Sequence, residues 1–464
     1  MSSFFGLNIA VSALRAQQYA IDVTAHNIAN AATPGFHRQE AVFVPGDPLT
    51  GSFAMTGLGI PQLGTGVLVQ TVRRMQSDYA DQQVWMSNQW LGTWSFKNDS
   101  LRQVESVISE PGDLGLSTLM DQFWGSWEEL SASPESLPAR ISVVESGVAL
   151  ADRTRTLYRD LRELQTSTDQ GIVDNAAQIN QLAHEIANIN EQVRRSNADG
   201  YQPNDLMDRR GLLLDQLSQI ARVQVNGASG SELIVSISGK ALIQGNHVTE
   251  VSVAQGANGW SQLLWSDDGS AVQVTGGKLA GQLEIRDNVV EGYIQSLNTI
   301  AQTIVTRVNA LHSTGVTTGG APAGNFFVPG TDASNIAVES SLVAAPDGVA
   351  TSTTGNPGDN SLALAIASVK DEVLIDGETI GGAYSGLVAL IGSNARQAAS
   401  RTDAHTLSGQ QLATQRESIG GVSLDEEMAN MVKFQQAYNA AARVFTVIDE
   451  MIGTVITGMG VGGR

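Results

Sequence analysis

The chain has 464 residues, 47 of them acidic and 27 basic, and a formal net charge of −20. Because nucleic acids and anionic lipid surfaces are bound largely through Lys and Arg, this charge argues against both as partners. The length predicts several domains, and the absence of cysteine excludes disulfides, thiolate catalysis and cysteine zinc sites.

The first predicted element is a long helix with one apolar stripe. Positions spaced alternately by three and four residues are mostly large and apolar, which is the spacing of a coiled coil. The stripe consists of Phe4, Leu7, Val11, Leu14, Gln18, Ile21, Ala25 and Ile28. In this N-terminal segment polar residues interrupt the apolar ones, and no Lys or Arg stands near its start. We therefore expect no cleaved signal peptide. No run of about 18 apolar residues predicts a membrane span.

The end of this helix is marked by a turn. Thr33 precedes Pro34 and is therefore biased away from helix, and Pro34-Gly35 is typical of a type II turn. Asn27 and Asn30 lie in the last helical turns, where their amides can bond free carbonyl groups or a neighbouring chain. The segment predicts a helix that ends in a fixed direction.

The middle of the chain alternates between helical and strand patterns. Apolar residues at helical spacing predict helices at 72–110, 139–221, 286–312 and 384–417, with Gly200 and Pro203 breaking the second. From residue 222 the apolar period changes to two, which predicts short antiparallel strands over 222–284. Residues 316–380 are rich in Gly, Thr and Ala, and we expect a small, mostly β unit there.

The last predicted helix repeats the pattern of the first. Ser423 and Glu426 have the spacing of a capping box at its start. Its stripe consists of Met431, Phe434, Tyr438, Ala441, Phe445, Ile448, Ile452 and Val455. Both stripes are compatible with the core of an ordinary globular domain. The low charge of both helices favours burial on several sides by neighbouring chains.

No pattern in the sequence predicts catalytic chemistry. His184-Glu185 begins a segment similar to a zinc-protease helix, but Asn188 stands where the second histidine is required. The stretch 57–66 resembles a Gly-rich dinucleotide loop but has Gln62 in place of the third glycine. The six histidines have no metal-ligand spacing. We therefore predict no catalytic residue, no cofactor and no metal site.

The motifs at both ends resemble those of bacterial flagellar axial proteins, the family of rod, hook and hook-associated subunits. The N-terminal match is Asn27-Ile28-Ala29-Asn30 followed by Thr33-Pro34-Gly35-Phe36, and the C-terminal match is the run GVSLDEEMANMVKFQQAYNAAARVFTVIDEM at 421–451. Further similar segments occur in family order across most of the chain. His26 and Phe36-His37 depart from the usual family residues. The similarity is greatest to the hook-associated branch.

The resemblance implies an α+β multi-domain fold in which the terminal helices pair as a coiled-coil-like core, with a long helical bundle and mostly β outer parts. The expected domains are 1–60 with 418–464, the axial core; 61–221 with 285–315 and 381–417, the bundle; 222–284, a β insertion; and 316–380, an outer β domain. The expected assembly interface consists of Phe4, Leu7, Val11, Leu14, Ile21, Asn27, Ile28, Asn30, Met431, Phe434, Tyr438, Phe445, Ile448, Ile452 and Val455.

The function implied is that of a structural, non-enzymatic subunit that joins hook to filament and assembles through its terminal helices. The expected partners are further copies of the chain in a ring, the hook subunit, a second junction protein on the filament side, and an export chaperone at the C-terminal helix. The expected location is the extracellular flagellum at the hook–filament junction, reached through the flagellar secretion apparatus. The alternatives are a hook or distal rod subunit, a metal-dependent hydrolase and a secreted coiled-coil adhesin.

Overall fold

The computed structural model describes residues 2–47, 64–112, 114–228 and 232–460; the side chains of 2–4 and 458–460 lie outside this description. The helices are α1 (Ser2–Asn30), α2 (Asp78–Ile108), α3 (Leu116–Ala132), α4 (Leu137–Ala198), α5 (Asn204–Ile220), α6 (Lys278–Glu284), α7 (Val290–His312), α8 (Ser340–Ala344), α9 (Ser361–Ala367), α10 (Ile380–Gly420) and α11 (Leu424–Gly460). A π-helical turn, Ile285–Val289, joins α6 to α7.

The strands are short and antiparallel. They are β1 (Gln39–Pro45), β2 (Val67–Arg74), β3 (Val223–Asn226), β4 (Ile234–Ile237), β5 (Lys240–Gln244), β6 (His247–Val248), β7 (Val251–Gln255), β8 (Ser261–Trp265), β9 (Val373–Ile375) and β10 (Glu378–Thr379). Strands β3 to β6 form one sheet in chain order, and β1–β2, β7–β8 and β9–β10 form hairpin sheets. The predicted strands are therefore confirmed from 223 to 265, whereas 278–284 forms α6 instead.

The two terminal helices lie side by side and antiparallel. Helices α1 and α11 contact each other along their lengths, with Gly6 opposite Ile448 and Asn27 opposite Glu427. The β1–β2 hairpin packs on this pair, and the ring of Phe43 in β1 meets Phe434 of α11 edge-on at 6.2 Å between centroids. The predicted pairing of the two chain ends is thus present within one subunit.

Helices α2 and α10 form a second antiparallel pair beyond the terminal helices. The hydroxyl of Tyr384 bonds Glu110 near one end of the pair, and Arg416 meets Asp81 at the other. Between them, the ring of Trp90 stacks on His405 at 6.0 Å. The predicted helix at 72–110 begins six residues late, because residues 72–74 are paired with β1 as the end of β2.

Helix α4 is a single helix of 62 residues that contributes to two hydrophobic cores. Its first half packs with α3, α7 and residues of 316–380 in one core. Its second half packs with α5 and strands β3–β8 in the other. Gly200, with φ of 80°, follows the end of α4 and begins the reversal into α5. The predicted break is confirmed, and the helix before it is continuous.

Residues 316–380 differ from the predicted small β unit. They contain the short helices α8 and α9, the β9–β10 hairpin and a few isolated bridges. The buried residues Phe326, Phe327 and Ile336 join the first core together with α3, α4 and α7. The apolar side chains of this segment are buried against the bundle helices. The short apolar runs therefore contribute to the core without forming paired strands.

His312 stands at the centre of this packing. It is fully buried, its Nδ1 lies 2.7 Å from the carbonyl oxygen of Gly324, and its Nε2 accepts a hydrogen bond from the Ala350 amide at 3.1 Å. Both nitrogens are therefore used in the neutral ring, with the proton on Nδ1. Burial lowers the pKa of His312, and the charge of the nearby Arg140 lowers it further.

This burial predicts a pH-dependent stability of the first core. Between the lowered folded pKa and the unfolded value near 6.5, the unfolded chain binds more protons, so the free energy of unfolding falls as the pH falls through this window. The slope from one group is at most about 1.4 kcal/mol per pH unit. His312→Gln should flatten the unfolding free energy measured by urea titration between pH 7.5 and 5. The exposed His247→Gln should keep the parental slope; parallel curves for His312→Gln and the parent would contradict the assignment.

Candidate assembly interface

Most of the predicted stripe residues belong to α1 and α11, which contact each other, and are only half covered. Half-buried positions are Leu7, Val11, Leu14, Ile21, Ile28, Met431, Phe434, Tyr438, Phe445, Ile448 and Ile452. Val455 is 56% exposed, and the side chain of Phe4 lies outside the described residues. One subunit therefore brings the two stripes together but leaves a large part of their apolar surface facing outward.

The fully buried face of α1 is made of small residues. These are Ala10, Ala16, Ala20 and Thr24, each no more than 3% exposed. They recur at spacings of four to six residues and permit close approach of the neighbouring elements. Sequence reasoning placed the larger residues at the contact and missed this small-residue face, because alanine carries little signal in an apolar pattern.

Asn27 connects α1, β1 and α11. Its Nδ2 donates to the Gln39 carbonyl at 2.8 Å and to Glu427 Oε2 at 2.9 Å, and its Oδ1 accepts from the Gln39 amide at 2.9 Å. Asn27 is 1% exposed and Glu427 is 2% exposed. The side chain thus bonds the backbone of β1 as a neighbouring strand would, while it holds the first turn of α11.

Glu427 is a member of this contact that the sequence analysis missed. Sequence reasoning explained the acidic run at 425–427 only by its favourable position at a helix N-terminus. In the structure Glu427 Oε1 lies 2.8 Å from Arg38 Nε, and the adjacent Glu426 Oε2 lies 2.9 Å from Arg38 Nη1. Arg38 therefore ties the segment after α1 to the start of α11. Two features of the sequence could have indicated this contact. Glu427 follows the capping residue Ser423 by one helical turn, and the end of the first helix is rich in asparagine.

The predicted turn after α1 is present and directs the chain toward α5. The Phe36 amide donates to the Thr33 carbonyl at 3.2 Å, and Gly35 has φ of 77°, as position three of a type II turn requires. Asn30 donates to the carbonyl of His26 at 3.0 Å, as expected for a helix end. The turn places His37 against α5.

Three nitrogen atoms of His37 and Arg74 lie within bonding distance of the Asp208 carboxylate of α5. Its Oδ1 lies 2.7 Å from His37 Nδ1 and 2.8 Å from Arg74 Nη1, and its Oδ2 accepts the His37 amide at 3.1 Å. The Asp208 side chain is 7% exposed and that of Arg74 is 9% exposed. Such a buried, charge-assisted arrangement fixes the hairpin against the bundle.

A second, half-buried ion pair joins α10 to α5 nearby. Arg416 makes two bonds to Asp215, at 3.0 and 2.9 Å, and the indole of Trp85 donates to the same carboxylate at 2.8 Å. Burial raises the pKa of the adjacent Asp81 carboxyl, although Arg416 opposes this shift. The residues Asn27, His37, Arg38, Arg74, Asp208, Asp215, Arg416 and Glu427 are called the polar joint below.

Little free space remains between the elements that meet at the polar joint. A cleft of about 210 Å³ lies among the turn after α1, α5 and the end of α10. Gly420 ends α10 there, and a Cβ at this position would approach the carbonyl oxygen of Met75 to 2.7 Å. The joint therefore sets the direction of the terminal helices relative to the bundle by several bonds and by close packing.

Helix α11 also presents apolar side chains to solvent. Val444, Val447, Met451 and Val455, each 52–61% exposed, follow one another at spacings of three and four residues. These four residues are called the α11 stripe below. Exposed apolar rows of this kind mark surfaces that are covered by another molecule.

The described residues supply no group of three or more His, Asp or Glu side chains arranged to hold a metal ion. His184 pairs with Glu250 at 2.8 Å on the surface of the β3–β8 region. Most of the Gly-rich stretch 57–66 lies outside the described residues. None of the described helices has the length and hydropathy needed to cross a membrane.

Comparison with known families gives matches in three parts of the chain. Residues 101–327 match the flagellar hook-associated protein FlgK helical domain. Residues 7–37 match the flagella basal body rod protein family, and residues 418–458 match the flagellar basal body rod FlgEFG protein C-terminal family. The two terminal matches coincide with the α1 turn region and with α11.

Similar full-length proteins carry one name. Flagellar hook-associated protein 1 of Bacillus subtilis (strain 168) is 32% identical over 510 aligned positions that cover both chains completely. The protein of that name from Escherichia coli (strain K12) is 24% identical over 97% of this chain and 99% of its own. The solved structure of the flagellar hook junction protein FlgK from Burkholderia pseudomallei has the same fold, with a TM-score of 0.64, 17% identity and coverage of 74% of this chain and 100% of that one.

Proposed function

The chain belongs to the flagellar hook-associated protein 1 family, and from this premise we propose how it acts as a structural protein of the hook–filament junction. The terminal helices α1 and α11 of successive subunits pack into a ring that continues the axial tube. The half-covered stripes and the exposed apolar side chains of α11 support this role. The bundle and the β3–β8 region lie outside the ring and supply lateral contacts.

The proposal includes the partners and route that the family resemblance implies. The ring meets the hook subunit on one side and a second junction protein on the other. A chaperone covers α11 before export, because this helix carries apolar surface that the single chain leaves exposed. The protein is exported through the flagellar secretion apparatus without a cleaved signal, and it performs no catalysis. The axial core is proposed to comprise 1–60 and 418–464.

The test of this function is removal of the gene from its own bacterium, followed by electron microscopy of the cell surface. A junction protein is expected to leave hooks intact and without filaments, and the unaltered gene supplied on a plasmid should restore filaments. A hook or distal rod subunit would instead be required for the hooks themselves. Cells that keep their filaments after deletion would refute both roles and reopen the adhesin alternative.

A further inference from the structure

A groove runs between α1 and β2 on the outside of the terminal helix pair. It has a volume of about 720 Å³ and is lined on one side by α1 from Ser12 to His26 at helical spacing, and on the other by six consecutive residues of β2. Tyr19, Leu68 and Tyr201 around it are 49%, 55% and 72% exposed. The α1 wall of about 21 Å is long enough to receive four turns of a second helix.

The groove carries one positive and one negative side chain on its helical wall. Arg15 and Asp22 both line it and are seven residues apart, so they lie on the same face of α1 two turns from each other. Arg15 is exposed and makes no hydrogen bond or ion pair with any residue that the structure describes. Asp22 bonds only the nearby amide of Gln18, at 3.2 Å.

The α11 stripe has the complementary charges. Arg443 and Glu450 border it on one side, are exposed and are also seven residues apart. Neither side chain has a polar partner in the described part of the chain. An antiparallel approach of α11 to the α1 wall therefore places Glu450 against Arg15 and Arg443 against Asp22 at equal spacing. The stripe from Val444 to Val455 spans about 17 Å, which fits the groove.

A single chain cannot make these contacts. Because Gly6 lies opposite Ile448 and Asn27 opposite Glu427, Arg15 is level with Asn439 of its own α11. Glu450 is eleven residues further along, about 17 Å away along the helix axis. The two charge pairs therefore require two copies of the chain, displaced relative to each other along the helices.

We propose that the α11 stripe of one copy lies in the α1–β2 groove of the next copy. This inference rests on the proposed function, since it names the subunit contact through which the ring assembles. The groove and the stripe are different surfaces of one chain, so the contact is heterologous, and repeated contacts of this type, each with a displacement along the helices, wind the copies into a helical turn around the axis. Neighbours related by a rotation about an axis along the helices, together with a displacement along that axis, keep α11 of one antiparallel to α1 of the next, as the charges require.

Cysteine cross-linking tests the contact directly, because the natural chain has no cysteine. Tyr19→Cys combined with Val447→Cys places the two thiols opposite each other across the proposed contact, whereas in one chain they are about 18 Å apart along the axis. Oxidation of flagellated cells that carry only this variant should give a ladder of cross-linked multimers. The matched control, Tyr19→Cys with the exposed Met428→Cys, should give none.

The outcomes separate this contact from the proposed function. If the double-cysteine cells keep filaments on their hooks and no ladder forms, the groove contact is refuted and the junction function stands. If cells without any copy of the gene keep their filaments, the junction function fails first. A ladder from the control pair would also refute the contact. It would show that cross-links form between cysteines that the proposed contact keeps apart.

Charge reversal provides a second test that does not depend on a disulfide. Arg15→Glu and Glu450→Arg, each alone, should reduce the number of filaments per cell at least severalfold while the subunit is still secreted into the medium. The double variant should restore filaments, because the two positions have exchanged their charges and again attract each other across the contact. A double variant no better than the single ones would refute the pairing. A Glu450→Arg variant that is retained in the cell would assign the stripe to an export partner instead.

Discussion

Cells whose only copy carries Phe445→Asp are expected to form hooks without filaments. Phe445 lies on α11 at the contact with α1 and is half-buried in one subunit. Loss of its apolar burial costs about 1.5–3 kcal/mol, and an unpaired carboxylate in the covered seam costs several kcal/mol more. Because a ring repeats this penalty in every subunit, we expect complete loss of incorporation. Leu14→Asp, on the opposite helix, should have the same effect.

The control for this experiment is Gln435→Asp, which adds the same charge on α11 outside the segment from Arg443 to Val455. Gln435 is exposed. It should leave most filaments in place. Limited proteolysis of both purified variants should give the same resistant fragment from the bundle, since neither change touches the two cores. Normal filaments on Phe445→Asp cells would exclude the seam from assembly.

Replacing Asn27 by Leu is expected to release the terminal helices from the bundle. The substitution leaves the Gln39 amide, the Gln39 carbonyl and the Glu427 carboxylate buried without their present partner. A buried donor or acceptor left unpaired costs about 1–3 kcal/mol, while the ion pair of Glu427 with Arg38 remains. Because three buried groups lose a bond, we expect a loss of at least about 3 kcal/mol in the stability of the α1–α11 region.

Hydrogen exchange followed by mass spectrometry measures this loss region by region. Amides of α1, β1 and the first turns of α11 should exchange faster in Asn27→Leu, while those of α4 keep their protection. Asn30→Leu is the matched control, because Asn30 is half-buried and bonds mainly within its own helix end. Equal effects of the two changes would mean that Asn27 does not hold the three elements together.

The terminal architecture could be predicted from the sequence because its signals are local. The stripes of α1 and α11 extend over eight positions each, so the spacing was unambiguous even without knowledge of the fold. The turn at Pro34-Gly35 was predicted for the same reason, since both residues restrict the backbone themselves. The strands over 222–284 followed from the period of two in their apolar residues.

The polar joint could not be predicted because its members are far apart in the chain. Asp208 is 171 residues from His37, and Glu427 is 400 residues from Asn27. A buried carboxylate on a helix has the same sequence signature as a solvated one until its partner is known. The fold of 316–380 was predicted incompletely for a related reason: its apolar residues are satisfied by α3, α4 and α7, which its own sequence does not indicate.

The length of α4 has a mechanical consequence. At 62 residues it extends for about 93 Å, and it passes from one hydrophobic core into the other without a break in its hydrogen bonding. Bending the two cores relative to each other would require rupture of helical hydrogen bonds or sliding of packed side chains. The two hydrophobic cores and the helix that joins them therefore behave as one stiff unit. Force applied at the end of this unit farthest from the terminal helices is carried along α4 to the polar joint. There the load passes to the terminal helices.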